Sequence, residues 1–108
     1  MKSKSLLIRD ENDSPIQAIA PDPAKSQTIS INATTAATPI DVTQWQAYRF
    51  VCTDSTTITT SKTVQVRLNS NSDAPPMSSG GAAVHQSTTQ IVFYNPNATA
   101  VKVYLEGM

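Results

Sequence analysis

The chain has a single cysteine, Cys52, and that scarcity removes two common ways of bracing a small domain. No internal disulfide can form, and a zinc site built from several cysteines is excluded. An excess of charge is missing too: eight basic against eight acidic residues give a formal net charge of zero. No long-range field therefore draws in a polyanion or an anionic membrane, and neither nucleic acid nor membrane is expected as a partner. The longest apolar run near the start is Leu6, Leu7 and Ile8. That falls short of the roughly 7–15 residues of a signal-peptide core and the ~20 of a membrane-spanning helix. The expectation is a protein made, at least at first, in a cytoplasm. Its 108 residues suit one core.

Catalytic signatures are equally thin. GxSxG, HExxH and P-loop patterns do not occur, and Gly80-Gly81 lacks the following Lys-Ser or Lys-Thr of a phosphate cradle. His85 is the sole histidine and so the sole imidazole base, useful only beside an activated hydroxyl or thiol with a third group to orient it. Asp10, Glu11 and Asp13 form an oxygen-rich cluster without the glycine and distal glutamate of an EF-hand loop, and read as a solvated charge run. The reading is a protein without catalytic residues, cofactor or metal. Three Asn-X-Ser/Thr matches, at Asn12, Asn32 and Asn97, follow from a composition that is about a quarter Ser and Thr.

What the chain does have is period-two alternation, and it begins abruptly. Residues 1–25 carry half of the formal charges together with Pro15, Pro21 and Pro23. They read as an extended N-terminal arm, whose prolines disfavour helix and act as a stiff spacer. Leu6, Leu7, Ile8, Ile16 and Ile19 are apolar beyond the needs of a tail that touches nothing. From residue 26 to 108 short strands follow. QTISINA aligns Ile29 and Ile31; QAYRFVCT sets Tyr48, Phe50 and Cys52 against Ala47, Arg49 and Val51. KTVQVRLN aligns Val64, Val66 and Leu68; TQIVFYN aligns Ile91 and Phe93; TAVKVYLEG sets Val101, Val103 and Leu105 against Lys102, Tyr104 and Glu106. A core on one side needs an apolar side chain at every second position, so these are half-buried antiparallel strands. The fold expected is all-β, a small antiparallel β-sandwich or jelly roll. Residues 95–98, NPNA, read as a type I turn joining the last two strands into a hairpin. Cys52 reads as a small buried hydrophobe.

Residues 69–86, NSNSDAPPMSSGGAAVHQ, are long for a connection and read as an exposed loop facing a neighbouring subunit or shell, with Met77 as an apolar contact. Some 80 residues bury only about 60–65% of their unfolded surface, so neighbouring copies are expected to supply missing burial. An arm with apolar patches can cover a strand edge of such a neighbour. A homo-oligomer, a trimer by preference, is expected, with Leu6, Leu7, Ile8, Ile16, Ile19 and Met77 at its interfaces.

The Pro-containing arm, QAYRFVCTDS, a V-x-V-x-L strand, the Pro/Gly/Ser loop and the ending IVFYNPNATAVKVYLEGM together resemble the small virion proteins of tailed bacteriophages, of the decoration, cement or head-spike type. The likeness is densest over residues 45–108 and lies in pattern, without a diagnostic motif. It implies a sandwich or jelly-roll module, made in a bacterial cytoplasm, that binds the major capsid protein or another virion protein at the capsid surface or vertex and carries no catalytic residues. A pilus-like subunit that completes a neighbour's sheet is disfavoured by the want of a signal-peptide core, and two further rival readings remain. One is a receptor- or glycan-binding spike or tail-tip module, with Trp45, Tyr48, Tyr94 and Tyr104 as a stacking platform; the other is an enzyme built around His85.

Overall fold

Alternation alone places a residue on a face; which faces meet is settled by strand pairing. The computed structural model describes the backbone of residues 5–9 and 15–108, and the side chains from residue 20 onward. In chain order the strands are β1 (Ser5–Arg9), β2 (Pro15–Ile19), β3 (Asp22–Ile31), β4 (Thr35–Ala36), β5 (Ile40–Asp41) and β6 (Ala47–Asp54). They are followed by β7 (Val64–Leu68), β8 (Pro76–Met77), β9 (Ser79–Ala83), β10 (Gln90–Asn95) and β11 (Val101–Gly107). No helix occurs among the described residues.

Two antiparallel sheets form a small β-sandwich. One has the order β3-β11-β6-β9; the other has β4 and β5 end to end along one side of β10, then β7 and β8. Apart from the split β4–β5 strand and the β7–β8 pair, each step along the chain from β3 crosses from one sheet to the other. That strand order is the jelly roll. β1 and β2 pair with each other as a separate two-stranded sheet.

The core follows the alternation residue by residue. Phe50 and Cys52 of β6, Val101, Val103 and Leu105 of β11, and Ile31 of β3 face Val64 and Val66 of β7 and Ile91 and Phe93 of β10. Phe50 and Phe93 meet across the sandwich edge to face, with centroids 5.4 Å apart and planes at 67°. Such a pair adds about 0.5–1.5 kcal/mol to its area burial. Val42, between β5 and β6, is also fully buried and belongs to no alternating run. Leu68 departs the other way: it ends β7 and is 44% exposed.

Three features correct the sequence reading. First, β10 and β11 are not a hairpin but lie in opposite sheets. Their connection is held by Asn95, which is fully buried. Its Nδ2 lies 3.2, 3.0 and 2.9 Å from the carbonyl oxygens of Ile31, Asn32 and Thr99. Its Oδ1 accepts from the backbone N–H of Asn97 at 2.9 Å and from Asn97 Nδ2 at 2.8 Å, an Asx turn in place of a type I turn. Asn97 Nδ2 also donates to Thr63 O at 2.7 Å, and Asn97 O accepts from the Thr34 N–H at 3.1 Å. Two asparagines thus tie the end of β3, the approach to β7 and the β10–β11 crossing together.

Second, residues 69–86 are not one loop, because β8 and β9 lie within them and form the outer strands of the two sheets. β9 pairs with β6 through Ser79, Gly80, Gly81, Ala82 and Ala83, a run without a β-branched residue. Main-chain pairing needs no side chain, and Gly80, opposite Phe50, leaves room for the Met77 methyl, which an added Cβ would approach to 2.7 Å. Third, β3 starts at Asp22, so residues 22–25 are sandwich strand, and Pro23 is tolerated because β3 is an edge.

Replacing Asn95 by Ala leaves the carbonyls of Ile31, Asn32 and Thr99 short of a donor. The expected loss is on the order of 3 kcal/mol, seen as a lower urea midpoint with an unchanged slope. A variant within experimental error of the parent would mean that these bonds do not hold the crossing.

Candidate interaction surfaces

Two carboxylates of the sandwich, Asp54 and Asp41, are spent on local structure. Asp54 Oδ2 accepts from the Thr56 hydroxyl and from the backbone N–H groups of Thr57 and Thr56, and these bonds, the hydroxyl's first, hold its carboxyl below the usual range. Asp41 does the same through Thr43, whose backbone N–H and then its hydroxyl lower the Asp41 pKa. Among the described residues no group of three or more His, Cys, Asp or Glu side chains comes together. The acidic run of Asp10, Glu11 and Asp13 lies outside the described residues.

His85 is exposed on the β9–β10 connection. Its Nδ1 accepts from the Ser87 N–H at 3.1 Å and lies 2.7 Å from Ser87 Oγ, while His85 O accepts from the Thr88 N–H at 2.9 Å. The ring therefore caps its own turn. Asn69, at a φ of 56°, steadies the same connection, its Oδ1 accepting from the backbone N–H groups of Thr89 and Gln90. The space beneath is about 60 Å³ and mainly apolar, lined by Tyr48, Leu68, Val84 and Ile91 among others, against the ~300 Å³ or more typical of a small-molecule site.

The aromatic residues do not share a surface. Tyr48 is buried in the core, and Trp45 packs partly buried against it. A Cβ added at Gly107 would come within 2.7 Å of the Trp45 ring, so the glycine is what lets the indole pack against β11. Tyr94 lies on the outer face of the β10 sheet, under the Arg67 guanidinium 4.2 Å from its centroid; Gln65 Oε1 accepts from Arg67 Nε and Nη2 at 3.1 and 2.9 Å. Tyr104 lies on the outer face of the other sheet, in register with Val51 and Thr28. The stacking platform expected of a glycan-binding module is thus divided between the core and two opposite faces.

Among the described residues, two open surfaces stand out. One is that outer face, where Thr28, Tyr104, Val51 and Ser79 form a row across the four strands, with Val51 51% and Tyr104 37% exposed. Beside it Arg49 Nε and Nη2 meet Glu106 Oε1 and Oε2 at 2.8 and 3.2 Å, a two-pronged ion pair that raises the Arg49 pKa and lowers that of Glu106. The other is a groove of about 570 Å³ along the free edge of β3, lined by residues 27–32 and 35–40. Ile29, Ala37 and Ile40 join its walls to the core, and none of its lining residues is charged.

Of the residues expected at an interface, Met77 is 38% exposed in β8, with its methyl turned towards Gly80. The side chains of Leu6, Leu7, Ile8, Ile16 and Ile19 lie outside the described residues. The β3 groove was not found from the sequence. Its signal, in hindsight, is an uncharged stretch from residue 26 to 40 in a chain with 16 charges. Comparison with protein-family models, curated proteins and solved structures gave no match for this chain.

Cys52 is fully buried, and burial pushes its thiol up to about 11. At roughly pH 8, near the ordinary thiol range, a maleimide should leave the folded chain unlabelled and label it fully in denaturant. Labelling of folded protein would place the thiol elsewhere. Gly107→Ala should lower stability and red-shift Trp45 emission, because the added methyl overlaps the indole; an unchanged spectrum would contradict that packing.

Proposed function

We propose that this chain is a non-enzymatic structural protein of a tailed-bacteriophage virion, a decoration or cement protein that binds the phage head and stabilises it as a homo-oligomer. Its partners in this reading are further copies of itself, as a trimer, and the major capsid protein or another virion protein. Its place is the capsid surface or a vertex, after synthesis in the bacterial cytoplasm.

The observation that carries the reading is a jelly roll that leaves a long strand edge and a separate two-stranded sheet available for pairing with other chains. A fold does not by itself specify a function, yet the jelly roll recurs in viral capsid domains. The stretch of densest likeness, residues 45–108, supplies β6, β7, β10 and β11, the central strands of both sheets. Zero net charge suits a protein whose contacts are with other proteins. His85, Asp41 and Asp54 support the reading in a further way, since each is engaged in shaping a turn.

The test is addition of the purified chain to heads prepared without it, followed by electron cryo-microscopy and by heating. Ordered density at lattice points or vertices, with heads that survive higher temperature, is expected. Heads with no added density would overturn the reading.

A further inference from the structure

We propose that the β1–β2 hairpin of one copy adds to the free edge of β3 in a second copy, lying along the groove between β3 and β4–β5. The proposal rests on the homo-oligomer part of the reading above and names the surface that makes it.

The first argument is the state of the edges. A free strand edge is normally blunted by shortness, proline, charge or irregularity. β8 has two residues, one of them Pro76, and the β4–β5 strand is broken around Pro39. β9 has five residues. β3 has ten; its charges and proline, Asp22, Pro23 and Lys25, stand at its start, and residues 26–31 carry neither charge nor proline. The groove opens along that unprotected length.

The second argument is chain length. Only Ala20 and Pro21 separate β2 from β3. Folding β2 back onto its own β3 would leave a two-residue turn, and the types that match the strand twist, I′ and II′, have a positive φ at the first central position, whereas types I and II splay the strands. That position is Ala20, whereas the described non-glycine residues with positive φ are Thr34 and Asn69. Proline at the second position excludes type I′ outright. The hairpin is thus tethered too tightly to reach its own edge but is free to reach another, the geometry that favours exchange between copies.

The third argument is chemical match. A two-stranded hairpin is marginal in water until a third strand or another layer joins it. β2, PIQAI, is uncharged, and so is every residue lining the groove. An added strand satisfies the outward backbone groups of β3 and covers Ile29 and Ile40, so both parts gain what they lack.

Gln17→Cys and Thr28→Cys, prepared separately as full-length chains and refolded together, test the contact with a short bis-maleimide. Cys52 is buried and will not interfere. A product linking residue 17 to residue 28, identified from its peptides, is expected, with none when Ser79→Cys on β9 replaces Thr28→Cys. No link to residue 28, or equal linking to residue 79, overturns the proposal. If a variant does not fold, the unsubstituted chain decides: two or three copies by sedimentation, with β3 amides protected from exchange, supports it, and a monomer overturns it. Heads that bind the chain while the link fails remove only the exchange. A link without head binding removes only the virion role.

Discussion

The buried amide of Asn95 is the interaction on which the sandwich depends. A jelly roll has to carry its chain repeatedly from one sheet to the other, and every crossing strips backbone groups of ladder partners. At the β10–β11 crossing one side chain serves carbonyls of β3, of the following loop and of the crossing itself. Because its two ends present donors and acceptor in fixed directions, it also sets how β3 and β10 stand relative to each other. Buried polar groups of this kind fix geometry when fully satisfied and are costly when they are not.

Around that tie the apolar residues do the remaining work. Phe50 and Phe93 meet across the interior, and the valines of β7 and β11 fill the layers on either side. Cross-strand pairing then carries position outward: Val51 and Tyr104 are exposed because Phe50, Cys52, Val103 and Leu105 on the same strands are not. The charge pairing of Arg49 with Glu106 follows from the same register, two residues along. It decorates the face without holding it together, since both groups stand in water.

Much of the fold was legible in the residues because a two-residue period has one physical meaning. Tyr48, Phe50, Cys52, Val64, Val66, Ile91, Phe93, Val101, Val103 and Leu105 are inside as their spacing required. What could not be read is pairing. The β10–β11 crossing resembled a hairpin because NPNA is a good turn sequence in either setting, and the deciding bonds run to Ile31 and Asn32, some sixty residues away. β9 was hidden because Ser, Gly and Ala carry no strand preference, and its backbone is recruited by β6. Of the candidate surfaces, the apolar arm was visible as composition. The groove that β3 shares with β4 and β5 was not, because it exists only once two segments from different sheets are brought side by side.

A last consequence follows from Cys52. The one thiol of the chain is sealed between Phe50, Val103 and the opposite sheet, and no covalent bridge contributes to the fold. Glutathione and dissolved oxygen therefore find no accessible thiol and no disulfide in the described sandwich. The same packed structure suits the reducing interior of a cell and the oxidising world outside it, and a passage from one to the other demands no refolding.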